Sequence, residues 1–274
     1  MTIDVDPVLF HAGPVAVTWY GVIVGIALVA GVWLATREAR RKGLPMEEVE
    51  ALVLWVVVVG FVGARALHVV DRWEQYAAQP HAILALWNGG LAIVGAVLGG
   101  TVAGTIVAWR RGLPVLRLSD AAAPGVILGQ AVGRFACLFT GDAVGRPTSG
   151  FGVTYLHPGA MVPERGVAYE PVFLYEMLWD LGVLAVLWWL RPRLRVDGLL
   201  FAAYLALYAV GKFALTYLRT ETVWVAGLQE AQLLSIVALA VAAAWALAAG
   251  RQRFSGTAKR AASGGTEAAT TLLP

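Results

Sequence analysis

The chain has 274 residues, 59% of them hydrophobic and 14% charged, with a mean hydropathy of +0.70 and Trp 11; soluble domains run at about 45–50% apolar and about 25% charged, so this composition excludes a soluble domain and points to a polytopic membrane protein. The lone cysteine, Cys137, excludes an intramolecular disulfide framework. The formal net charge of +3 sits in short loops between apolar segments, so the placement of the basic residues matters more than their sum.

The amino terminus, MTIDVDPVLFHAG, is acidic and lacks a basic region and a small-residue cleavage site before the first apolar run, so it is not read as a cleaved signal peptide. Residues 10–14 are expected to form an amphipathic arm at the membrane surface, the alternative being a disordered terminus. Seven apolar segments follow, at 15–35, 51–70, 82–109, 121–139, 172–190, 199–218 and 229–249, each near the roughly 20 residues that cross a bilayer. The third is long, and its start, with Asn88, Gly89 and Gly90, is expected to lie outside the regular helix.

Basic residues gather in alternate connections: Arg37, Arg40, Arg41 and Lys42; Arg110, Arg111 and Arg117; Arg191, Arg193 and Arg195; and Arg251, Arg253, Lys259 and Arg260. The intervening loops hold only Arg72, Arg146, Arg165 and Arg219. The positive-inside rule therefore places the amino terminus outside and the carboxyl terminus in the cytoplasm. The expected fold is an all-α membrane protein of about seven transmembrane helices. It forms one transmembrane domain over 1–250, with a polar outer loop, 141–171, between spans four and five. The tail, 251–274, is expected to be cytoplasmic and disordered from its Ala, Ser, Gly and Thr content.

In the third span Gly95 and Gly99, and Gly100 and Gly104, stand four apart, a spacing that lets helices approach closely in lipid. Asn88-Gly89-Gly90 reads as a turn, or as a turn that offers backbone N–H groups to an anion. The 141–171 loop carries Asp142, Arg146, His157, Glu164, Arg165 and Glu170. Long ordered loops of this kind are commonly functional, a solvated hairpin being the alternative, and residues 150–155 resemble a short strand.

Ionisable residues inside apolar segments need a partner, a function or an escape to the interface, because a central arginine costs about 2.5–3.5 kcal/mol on insertion scales. Arg134, with Gln130 and Gly133, is the foremost case. Arg65 and His68 are three apart, Glu176 and Asp180 four apart, and Lys212 follows Tyr204 and Tyr208; the sequence alone does not pair them.

The pattern Gly133-Arg134-x-x-Cys137-x-x-x-Gly141-Asp142-x-x-Gly145-Arg146-Pro147-Thr148 resembles the signature loop of the prolipoprotein diacylglyceryl transferase family. Further matches fall in order: Trp19-Tyr20-Gly21, Gly63-Ala64-Arg65, Trp87-Asn88-Gly89-Gly90-Leu91, Pro171-x-x-x-Tyr175-Glu176 and Tyr217-Leu218-Arg219. The resemblance implies an enzyme of the bacterial inner membrane that moves the diacylglyceryl group of phosphatidylglycerol to the lipobox cysteine thiol of prolipoproteins, releasing glycerol 1-phosphate. Its partners would be phosphatidylglycerol, lipobox signal peptides and the lipid bilayer, with no cofactor, metal, nucleotide or nucleic acid.

Carried over by position, the resemblance makes Arg134, Arg219, Asp142 and Tyr20 catalytic candidates. Arg134, Arg65, Asn88, Gly89, Gly90, Gly141, Arg146, Tyr175 and Glu176 become substrate-binding candidates. Arginine suits the phosphate because its planar fork binds phosphate oxygens bidentately. Several positions depart from the pattern. The histidine of Gly-Gly-x-x-x-His is Val94, the loop's two asparagines are Cys137 and Thr140, its glutamate is Asp142, and Glu170 precedes Pro171. The base that makes the thiolate is then Asp142, Glu176 or Tyr20, or the chain is a divergent paralogue with altered or lost activity. Cys137 is expected to be a packing residue. From another class, a lipid-binding or transport protein would predict an internal repeat, and no convincing one relates the two halves.

Overall fold

Apolar runs bounded by Gly, Pro and arginine clusters become helices, and a computed structural model describes them over residues 1–13, 15–85, 89–219, 223–225 and 227–270, with backbone alone at 225 and 251–270. Among the described residues, seven helices are long and apolar enough to cross a membrane, as the segment pattern predicts.

The chain opens with β1 (Thr2–Ile3), β2 (Val8–Ala12) and β3 (Val15–Thr18), then enters α1 (Trp19–Arg41). Here the structure corrects the sequence. The expected arm is, over its described residues, part of an antiparallel β2–β3 hairpin, and residues 15–18 belong to a strand rather than to the first span. Val8, Phe10, Val15 and Val17 favour extended backbone, and Gly13 turns the hairpin at φ 62°. Thr18 caps α1, its Oγ1 accepting the Gly21 N–H at 3.1 Å.

Next come α2 (Met46–Asp71), α3 (Trp73–Ala78) and a 3₁₀ turn at Pro80–Leu84. The third span, α4, begins only at Ile93 and ends at Arg110, so Gly89 and Gly90 precede it as expected. The small residues do the predicted packing: a Cβ on Gly63 would lie 2.5 Å from the Gly95 carbonyl, and one on Gly99 would lie 2.7 Å from the Val59 carbonyl. Helices α2 and α4 therefore pack backbone against backbone. Gly31 of α1 does the same against α5 (Val115–Arg134), where a Cβ would lie 2.9 Å from the Gly125 carbonyl.

A break at residues 135–136 leads into the one-turn α6 (Cys137–Thr140), which completes the fourth span. The following loop is ordered. It holds β4 (Val153–Tyr155) and β5 (Ala168–Tyr169), close to the short strand expected at 150–155, and β1 adds to β4 in parallel. The Met1 ammonium donates to the Gly152 carbonyl at 2.9 Å, and Ile3, Val153, Tyr155 and Phe173 form a small core under the sheet. Tyr155 stitches that core to the fourth span, its hydroxyl donating to the Leu138 carbonyl at 3.1 Å. Burial pushes its phenol well above the usual range, so it stays a neutral donor.

The chain then runs through α7 (Val172–Leu190), α8 (Leu199–Thr216), a hairpin of β6 (Val223–Val225) and β7 (Leu228–Gln229), and α9 (Glu230–Thr270). Helix α9 continues beyond its membrane-length stretch, Glu230–Gly250, so residues 251–270 are helical where composition suggests disorder. Alanine, which carries the lowest helix cost, recurs there.

Candidate active site

The candidate site forms where α5 ends, α7 begins and α8 ends. Arg134 is the last residue of α5. Gly141 terminates α6 in the left-handed region at φ 71°, and a Cβ there would lie 2.9 Å from Val162, so the turn into the loop needs glycine. The loop then folds back over the helix ends: Gly145 donates to the Glu170 carbonyl, the Ala143 carbonyl accepts from Phe173, and Arg146 Nη2 donates to the Tyr217 carbonyl at the end of α8.

Beneath that loop, Glu176 joins three helices. Its Oε2 lies 3.0 Å from Arg134 Nε and its Oε1 accepts from Lys212 Nζ at 2.6 Å, with the carboxylate side chain only 3% exposed. A buried carboxylate shared by two cations is held by geometry, since removing one side of such a pair typically costs 3–5 kcal/mol. Close packing between α7 and α8 sets this geometry: Trp179 lies against Gly211, where no Cβ fits, and its Nε1 donates to the Leu207 carbonyl at 3.0 Å. Arg134, Glu176, Asp180, Tyr208 and Lys212 line a small cavity. Two cations and one carboxylate leave one net positive charge there before Asp180 is counted.

Glu176 pairs with Arg134, a partnership that the sequence alone leaves open. Asp142, another of the catalytic candidates, accepts from the Thr140 hydroxyl at 2.7 Å, because the turn at Gly141 brings it back over α6. Tyr20 stands within the electrostatic reach of Asp142, Cys137 and Arg134. The start of α1 is fixed there by Trp19 stacked on Phe139 at 4.9 Å. Arg219 follows α8, near enough for its charge to act on Glu176 and Lys212, and its carbonyl accepts from Gln229. Tyr175 is half-buried beside Glu176, and Cys137 is buried in the core under the sheet, a packing residue as expected.

Arg65, expected among the substrate-binding residues, is engaged with the backbone. Its guanidinium donates to the carbonyls of Ile83, Gly89, Gly90, Ala82 and Ala85, at 2.7–3.4 Å, which accounts for all five N–H groups. It builds the approach to α4. Gly89 and Gly90, at φ 75° and 80°, are held by those bonds, while Asn88 lies outside the described residues. Lys212 is the residue that sequence reasoning left without a role. Its cost inside an apolar helix was the available signal, but its partner 36 positions away was not readable from spacing.

The comparisons with known proteins identify the family. A family model described as prolipoprotein diacylglyceryl transferase matches residues 7–248. A protein of Geobacillus kaustophilus named phosphatidylglycerol–prolipoprotein diacylglyceryl transferase is 41% identical over 245 residues, covering 87% of this chain and 90% of the relative. Proteins of the same name from Bacillus licheniformis and a Nostoc species are each 38% identical, over 244 and 245 residues, covering 87% and 86% of this chain and 90% and 86% of the relatives. With the ordered motifs, the buried Arg134–Glu176–Lys212 cluster and a match along nearly the whole apolar chain, this multi-pass membrane protein belongs to the prolipoprotein diacylglyceryl transferase family.

Proposed function

We propose that the protein transfers the diacylglyceryl group of phosphatidylglycerol to the lipobox cysteine thiol of prolipoprotein signal peptides, in the bacterial cytoplasmic membrane, with the 141–171 loop outside. The observation that carries the reading is the pair of cations, Arg134 and Lys212, held on the buried Glu176 carboxylate beneath an ordered polar loop, in a chain of this family. A phosphodiester is the anion that two such cations, held by one carboxylate, are placed to receive.

In the proposed reaction the thiolate attacks the glycerol carbon that bears the phosphate. A carbon–sulfur bond forms, the carbon–oxygen bond breaks with its electron pair going to the phosphate, and glycerol 1-phosphate leaves. Arg134 and Lys212, with Arg219 close by, hold the phosphate as its charge grows, and preorganised donors of this kind are worth about 10²–10³-fold each. Tyr20 and Asp142, on the loop side of Arg134, orient the headgroup. Glu176 fixes the two cations so that they cost no reorganisation when the charge develops.

The test is direct. Purified protein is incubated with phosphatidylglycerol and a lipobox peptide, and mass spectrometry looks for the diacylglyceryl adduct. No adduct from inserted, monodisperse protein overturns the reading. Orientation is tested separately by single cysteines near Gly112 and Gly159, expected to be labelled from the cytoplasm and from outside respectively.

A further inference from the structure

One titratable group in the cavity has no assigned work. Asp180 lies on α7 one turn below Glu176, is 3% exposed, and its Oδ2 has no hydrogen-bond partner among the described residues. A buried carboxylate oxygen without a partner is costly. The charged and titratable groups around it are Arg134 on α5, Glu176 on its own helix, and Tyr204, Tyr208 and Lys212 on α8. The nearest cations are already engaged by Glu176, and Tyr204 donates to Gln130 at 3.0 Å.

We propose that Asp180 is the proton acceptor for the substrate thiol, a role that rests on the reaction proposed above. In the empty site Arg134 and Lys212 balance Glu176 and an ionised Asp180. A bound phosphodiester brings one further negative charge, which raises the affinity of the Asp180 carboxylate for the proton that the thiol carries. The proton leaves the thiol for Asp180 Oδ2 while the S–H electron pair stays on sulfur, which attacks the glycerol carbon. The carbon–oxygen pair departs on glycerol 1-phosphate, and the proton follows it, or passes to water, as the product leaves. Depth agrees with this role. Asp180 is four residues from Glu176, about 6 Å further along the helix axis at ~1.5 Å per residue, and the reacting carbon lies on the acyl-chain side of the phosphate, away from the loop.

The experiment compares wild type, Asp180→Asn and Asp180→Glu, reconstituted with phosphatidylglycerol and a lipobox peptide, across a range of pH. For Asp180→Asn the neutral-pH rate is expected to fall by about 10²–10⁴-fold, the usual worth of a general base, with little change in KM for phosphatidylglycerol. Its rate should then climb about tenfold per pH unit toward the thiol's own value of about 8.5, and Asp180→Glu should restore part of the neutral-pH rate. An Asp180→Asn profile parallel to that of wild type, whether equal or uniformly lowered, overturns the role of Asp180. If the variant does not insert, wild type carries the test: with Asp180 as acceptor its transfer rate is level through neutral pH, and a wild-type rate that climbs about tenfold per pH unit toward the thiol's own value of about 8.5 overturns the proposal. Wild type that forms no adduct at any pH strikes the reaction itself and this role with it, whereas active wild type with an unchanged Asp180→Asn profile strikes Asp180 alone.

Discussion

The two ends of the helical bundle each bury carboxylates among cations, and they differ in how completely those carboxylates are satisfied. At the end away from the 141–171 loop, Glu38 is 1% exposed and pairs with Arg41 through Oε2 and with Arg191 through Oε1. Asp120 accepts the Phe201 N–H on one oxygen and Lys42 on the other, and Asp197 draws in Arg117. Every buried carboxylate oxygen of Glu38 and Asp120 there has a partner. At the loop end, Glu176 is shared by two cations, but Asp180 keeps an oxygen without a partner beside a cavity. Saturated networks hold helices together; an unsaturated one leaves capacity for a ligand and a proton.

Breaking the saturated end should give the largest effect, and it should be an effect on folding. Glu38→Ala leaves Arg191 and Arg41 without their carboxylate, and a buried pair broken on one side typically loses about 3–5 kcal/mol. Thermal unfolding of the purified protein should show that loss, while transfer per folded molecule stays near wild type. A large loss of specific activity without destabilisation would contradict the division between the two ends.

The loop end should behave in the opposite way. Arg134→Ala leaves Glu176 still paired with Lys212, so the protein should insert and lose less stability than Glu38→Ala does. Transfer should drop by about 10²–10³-fold, the worth of one preorganised donor to a developing charge. Arg134→Lys should recover little, because an ammonium does not reproduce a bidentate fork. Near-normal transfer by Arg134→Lys, measured by adduct formation, would reduce Arg134 to a plain charge.

A smaller effect should come from the packing that sets the site. Gly211→Ala drives a methyl into the Trp179 ring, and overpacking of this kind costs about 1–3 kcal/mol. Moving α8 off α7 also separates Lys212 from Glu176, so KM for phosphatidylglycerol should rise. Adding Trp179→Leu should relieve both effects, and a double variant no better than Gly211→Ala would show that this contact does not set the cation geometry.

Much of this architecture is legible in the sequence, for reasons that differ by element. The spans follow from unbroken apolar length, and the close packing of α4, though not its partner α2, follows from glycines four apart, because in lipid small residues are what let backbones meet. Arg134 and Glu176 stand out because charge is costly in such helices. The partners are another matter: Glu176 with Lys212, Arg65 with five carbonyls, and Asp142 with Thr140 are long-range or turn-dependent contacts, set by how the chain folds back at Gly141 and around Gly89 and Gly90. The short strands at 8–12 and 15–18 were hidden by the same apolarity that marks the spans.

The smallest expected effect tests where the proton goes. The family pattern puts a histidine at the position of Val94, which reads from the sequence as a lost base. In the structure Val94 lies in the first turn of α4, 42% exposed, on a helix that packs against α2 through Gly95 and Gly99. The cavity with the unsatisfied carboxylate is instead built from α5, α7 and α8. If Asp180 takes the thiol proton, Val94→His adds a second acceptor away from that cavity, and the neutral-pH transfer rate should change little. A rise toward the roughly 10²–10⁴-fold worth of a well-placed base, seen in Val94→His and kept in Val94→His with Asp180→Asn, would move the proton acceptor to α4. The loop end would then owe its unsatisfied oxygen to something other than proton transfer, and its contrast with the saturated end would hold for phosphate binding alone.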